Sequence, residues 1–215
     1  MSTPLFIVGA GGFGRETLDV VDAINSVLPE PQFEVLGIID SAPSDENLAR
    51  LERRDVAWLG ALDVVDGLDP ASVRYVIGIG SPVVRERIDR DLTQRGFKPA
   101  TIVHPAASIG AVSTIGDGSV VCGGVQISTN VVLGRHVHVN PNATIGHDAV
   151  LEDYVSINPA AVISGDVIVN FGSLVGAAAV VLQGLTVGSS SVVGASACVV
   201  RNVAPGTVVK GVPAR

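Results

Sequence analysis

His147 is followed directly by Asp148 in the segment Asn140-Pro-Asn-Ala-Thr-Ile-Gly-His147-Asp148. An imidazole beside a carboxylate is held in one tautomer and made more basic. That suits removal of a proton from an amine or hydroxyl as it attacks a thioester. Three further histidines, His104, His136 and His138, share this half of the chain without an acidic neighbour in sequence and are expected to be structural. A second group of candidates lies at the other end. Gly9-Ala10-Gly11-Gly12-Phe13-Gly14 fits the pattern G-x-G-x-x-G between an apolar run and a helical pattern. Backbone amides and a helix N-terminus can face a phosphate or pyrophosphate from such a loop. Asp40 closes the next apolar run, where an acid typically meets a nucleoside, and Gly80-Ser81 closes a third.

These residues need elements to place them. Leu5–Ala10, Phe33–Ile39 and Val73–Ile79 read as strands ending at polar or glycine turns, and helical spacing follows the first (Leu18, Val21, Ile24) and the third (Val84, Ile88, Leu92). The first hundred residues are therefore expected to form a small three-stranded parallel β/α unit. A nicotinamide-dependent dehydrogenase would share the glycine fingerprint, but it needs a full doubly wound sheet and a second catalytic domain.

From Val103 to Val199 every sixth residue is Ile, Leu or Val, seventeen positions without a failure. With half of all residues aliphatic, such a run arises by chance about once in a hundred thousand trials, so the period is structural. Four residues after each aliphatic stands a small or β-branched residue, with Leu185 the bulky exception. Six residues fit one short strand and one corner, and three hexads close a triangular coil of eighteen. His147 then lies beside Gly165, where the missing side chain leaves room and the N–H can face a developing oxyanion. A sandwich of hairpins would need turn dipeptides at each reversal, and only Asp117-Gly118 qualifies. The tail Val203–Arg215 is expected to cap the last coil, since solenoid ends need covering.

Composition narrows the partners. The net charge is −7 with no Lys/Arg run, which repels nucleic acid and phospholipid surfaces. The first apolar run is too short to span a bilayer, so no membrane insertion is expected. Cys122 and Cys198 are far apart and read as small buried thiols of a reducing, cytoplasmic compartment.

The glycine-rich unit, the unbroken hexapeptide coil, the segment NATIGHDAVLEDYVSINPAAVISGDV and the ending VVKGVPAR together resemble bacterial nucleotide-sugar acetyltransferases of the sialic-acid and bacillosamine type, across essentially the whole chain. The resemblance implies an α/β fold class: a Rossmann-like nucleotide-sugar-binding domain over residues 1–100, then a left-handed parallel β-helix acetyltransferase domain with its C-terminal cap over 101–215. The hexad pattern alone leaves the hand open. The resemblance further implies His147 as general base supported by Asp148, Gly165 as oxyanion donor, and nucleotide-sugar contacts at Gly11, Gly12, Phe13, Asp40 and Gly80. Acetyl-CoA would lie along later coils at a subunit boundary, against Ala177 and Ala195. Family members often carry a second histidine nine residues after the first, contacting the thioester; here that position is Ser156, whose hydroxyl can donate one hydrogen bond. They often carry histidine where this chain has Phe13.

The expected reaction is acetyl transfer from acetyl-CoA to the amino group of a nucleotide-linked 4-amino sugar by a cytoplasmic homotrimer, with no metal. O-acetylation of a sialic-acid-like sugar is the close variant. Two alternatives come from other classes: a zinc carbonic anhydrase on the same coil, drawing ligands from His136, His138 and His147, and a non-catalytic sugar-binding scaffold.

Overall fold

A computed structural model describes residues 2–215, and the chain divides into two compact units, Met1–Ile102 and Val103–Arg215. The first holds β1 (Thr3–Val8), α1 (Gly12–Ser26), β2 (Phe33–Ile39), α2 (Asp45–Glu52), β3 (Trp58–Gly60), α3 (Pro82–Gln94) after β4 (Arg74–Ile77), and β5 (Lys98–Pro99). Its sheet is parallel throughout, in the order β3-β2-β1-β4-β5. The sequence reading anticipates three of these five strands. The two it lacks are the edges, of three and two residues, too short to carry a period-2 signal. α2 is also absent from that reading, although Ser44 marks its start by accepting a hydrogen bond from the Asn47 N–H at 3.2 Å. Leu18, Val21 and Leu92 are buried as the helical spacing anticipates, and β1 and β4 are buried along almost their full length.

The second unit is a left-handed parallel β-helix whose rungs are two-residue strands on three faces. One face carries six rungs from Ser108–Ile109 to Cys198–Val199, the next five from Thr114–Ile115 to Thr186–Val187, and the third seven from Ile102–Val103 to Val208–Val209. Rungs pair in register with those eighteen residues on, as in Gln126↔Thr144, Val132↔Val150 and His138↔Ser156, except the last, where Val192 pairs with Val208. The second residue of each rung points inward. Val121, Val139, Ile145, Leu151, Ile157 and Ile163 are fully buried, and so are the small residues four further on, such as Ala143, Ala149 and Ala161. Large and small residues thus alternate in stacked ladders.

The corners explain the period. Every sixth residue from Val112 to Ser196 has a positive φ, between 51° and 76°. Glycine fills four of these positions, and elsewhere the set includes Asn130, Asn142, Asp148 and Asp166. Asn and Asp enter the left-handed region more readily than most side chains. From Asn130 on, the N–H of each corner residue bonds to the preceding coil: Asn130 to the Ala111 carbonyl at 3.1 Å, Asp148 to Thr129 at 3.1 Å and Asp166 to His147 at 2.9 Å. At the far end the Cys198 N–H donates to Gly211 and the Ala214 N–H donates back to Cys198, so the tail closes over the last coil.

Candidate active site

His147 and Asp148 occupy the corner that joins the rung Thr144–Ile145 to the rung Val150–Leu151. Neighbouring side chains on an extended strand diverge to opposite faces. The left-handed turn at Asp148, φ 61°, lets these two meet, with His147 Nδ1 2.7 Å from Asp148 Oδ2. An ionised carboxylate only accepts, so Nδ1 carries a proton, and in the neutral ring Nε2 then presents its lone pair. The other carboxylate oxygen, Oδ1, accepts from Asn130 Nδ2 at 3.0 Å. These two hydrogen bonds, His147 first and Asn130 second, hold the Asp148 carboxyl below its ordinary range. Both members of the pair are roughly half exposed, at 49% and 44%.

Gly165 lies one coil above. A Cβ built there would fall 2.5 Å from His147 Cε1 and Nε2, so the imidazole lies over the glycine backbone with its free nitrogen toward it. Asp166 brings a second carboxylate: ring nitrogen, Asp148 oxygen and Asp166 oxygen lie within 4.8 Å of one another, all on exposed residues. Asp166 stands exactly one coil after Asp148, a spacing that would have found it once the left-handed corners were known. His136, His138 and His147 do not converge within the chain. His136 sits at another corner, stacked on Tyr154 at 5.7 Å, and His138 is a buried rung residue.

Ser156, Ala177 and Ala195 are not brought to this corner. Ser156 is a buried residue on the face opposite it, in register with His138. Ala177 and Ala195 follow one another on the edge that joins the rung Leu174–Val175 to Val180–Val181.

The glycine loop, Asp40 and Gly80 lie at the carboxyl ends of β1, β2 and β4. There the strand order reverses between β1 and β4, the crevice in which open parallel sheets bind ligands. The loop's glycines divide by role. A Cβ at Gly14 would fall 1.8 Å from the Gly9 carbonyl oxygen, and one at Gly78 would fall 2.5 Å from Gly14 Cα, so these let α1 pack on the sheet. A Cβ at Gly11, Gly12 or Gly80 would meet nothing within 4 Å, so the folded chain does not itself require their smallness. Phe13 follows in the first turn of α1 and is half-buried.

Asp40 has a structural task beyond the one the sequence offers. Its Oδ2 accepts the Ala10 N–H at 2.8 Å and its Oδ1 the Ala42 N–H at 3.0 Å, fixing the loop. Arg15, not anticipated, clamps the same loop by donating to the Ala10 carbonyl at 2.9 Å and to Asn47 Oδ1 at 2.7 Å. A cavity of about 390 Å³ opens at these strand ends, lined by Gly9, Asp40, Ser41 and Ile79 and, from α3, by Arg87 and Asp91. Arg87 went unrecognised in the sequence because helical spacing marks the buried face of α3 and not the residues at its margin. A wider depression of about 580 Å³ runs along α2 and Trp58 and contains none of the anticipated residues.

A strand–glycine-loop–helix unit followed by a left-handed hexapeptide coil is a fold that this chain shares with solved bacterial sugar acetyltransferases. Residues 4–92 match the family model described as the PglD N-terminal domain. The chain is 29% identical over 145 residues to a GDP-perosamine N-acetyltransferase of Escherichia coli O157:H7, a match covering 66% of this chain and 61% of that relative. Among solved structures it resembles PerB from Caulobacter crescentus in complex with CoA and GDP-perosamine. There the TM-score is 0.87 at 26% identity, over 99% of this chain and 96% of that one. The acetyltransferase domain of PglB from Neisseria gonorrhoeae FA1090, in complex with acetyl coenzyme A, gives a TM-score of 0.85 at 27% identity, over 100% of this chain and 99% of that one.

Proposed function

We propose that this protein transfers the acetyl group of acetyl-CoA to the amino group of a nucleotide-linked amino sugar. The observation that carries the reading is the pairing of His147 Nδ1 with Asp148 at 2.7 Å, which in the neutral ring leaves Nε2 unprotonated over Gly165. As the amine attacks the thioester carbonyl, His147 Nε2 takes its proton, and Asp148 stabilises the imidazolium that forms. The oxyanion of the tetrahedral intermediate accepts the Gly165 N–H, and its collapse expels the thiolate of coenzyme A. Supporting the acceptor class are the similarity to the perosamine N-acetyltransferases and the open glycines, Gly11, Gly12 and Gly80, at the strand ends. Phe13 and Asp40 complete that contact set.

Ser156, Ala177 and Ala195 are assigned to coenzyme A. Their separation from His147 within one chain is what a site shared between neighbouring copies requires, and a homotrimer is the assembly proposed. Among the described residues no helix is long and apolar enough to cross a membrane. The net charge of −7 disfavours nucleic acid, and a cytoplasmic setting fits an acetyl-CoA-dependent step.

Thiol release from acetyl-CoA, measured against UDP-, GDP- and dTDP-linked 4-amino sugars with free sialic acid as the O-acetyl control, tests the proposal. Turnover with one amino sugar is expected. In His147→Ala it should fall about 10²–10⁴-fold, the span general-base catalysis supplies. A folded variant with the native rate would remove His147 from the mechanism.

A further inference from the structure

The left-handed corners stack Asn130, Asp148 and Asp166 in one column, each a coil apart and each tied by its N–H to the coil before. Adjacent parallel strands stand about 4.8 Å apart, so each side chain in such a column has one neighbour below and one above. Asp148 faces unlike neighbours. Above it is Asp166, a carboxylate within 4.8 Å. Below it is Asn130, whose amide donates to Oδ1 at 3.0 Å. Beside it His147 engages Oδ2, and among the described residues no Lys or Arg forms an ion pair with Asp148 or Asp166.

Two consequences follow from elementary electrostatics. A like charge on one side favours protonation of Asp148 and rotation away from Asp166, and a rotated carboxylate would release Nδ1. A donor on the opposite side counters both, because a hydrogen bond to the charged form stabilises it and a bond to Oδ1 leaves Oδ2 for the imidazole. We propose that Asn130 is a positioning residue of the His147–Asp148 pair: it fixes the carboxylate in the rotamer that locks the imidazole tautomer. The proposal rests on the reading of His147 as the base, and the lowered proton affinity of Asp148, owed in part to Asn130, agrees with it.

Position 130 suits a clean test, since its φ of 60° is open to glycine and to aspartate without strain. Asn130→Gly removes the donor, and Asn130→Asp keeps the shape while replacing the donor with a third carboxylate. In substrate-free protein, carbon NMR of the Asp148 carboxyl should titrate at higher pH in Asn130→Gly and higher still in Asn130→Asp. Nitrogen NMR of His147 should change from one neutral tautomer to a mixture. In the same variants kcat should fall about tenfold, a fraction of what general-base catalysis supplies, while KM for acetyl-CoA and the melting temperature stay at wild-type values. Native titration and a single native tautomer in both variants would overturn the proposal. The spectroscopic arms need no turnover, so if His147→Ala retained full activity the base assignment would fail while the role of Asn130 was still decided.

Discussion

Both oxygens of the Asp148 carboxylate are engaged inside the chain, one by the imidazole and one by Asn130, which leaves His147 Nε2 as the open atom of the pair. A folded-state value below the ordinary one means the fold favours the charged form. The stabilisation is present above the ordinary carboxylate value and is lost only as pH falls through the lowered one. Asp148 therefore stays ionised above the ordinary carboxylate value, and its protonation should contribute no step to the pH profile of kcat/KM there. A step in that profile assigned to the Asp148 carboxyl would contradict this geometry. Gly165 supplies a sharper test. Its backbone suits alanine, yet the added Cβ would sit 2.5 Å from the ring. Gly165→Ala should lower kcat by displacing the base while leaving the coil intact. In a His147→Ala background the same change should cost almost nothing more, a coupling that a double-mutant cycle reads directly.

At the scale of the elements, a glycine motif that is one pattern in sequence becomes two sets of residues in space. Gly14→Ala forces its Cβ to 1.8 Å from the Gly9 carbonyl oxygen, so α1 must shift from the sheet, at a cost of about 1–3 kcal/mol or more. Gly12→Ala meets nothing within 4 Å. Thermal denaturation should show a clear loss for the first and none for the second. The KM for nucleotide sugar should rise in the second. Equal melting temperatures would mean the loop relaxes around Gly14. The hexad coil and the main strand–helix units were legible because their periods persist over many residues. The edge strands and α2 were not, since two to eight residues give periodicity too little length and local capping outweighs it.

For the whole molecule, the sharing of a site between copies is the reading most open to measurement. The His147 corner and the Ala177–Ala195 edge lie on different edges of one prism. Light scattering should therefore give three times the 21.9 kDa chain mass, with activity lost on dilution to monomer. A fully active monomer would return the coenzyme assignment to a single chain. The aliphatic sixth residues by themselves determined the coil, because only side chains at that spacing can stack in its interior, and the adjacency of His147 and Asp148 together with the eighteen-residue coil pointed to Gly165. Only the tertiary structure decided that Asp40 ties down the glycine loop, that Ser156 faces away from His147, and that Asn130 and Asp166 flank Asp148. Those relations join residues separated by one coil or one crossover, and their geometry is set by backbone turns whose positive φ no residue type announces on its own.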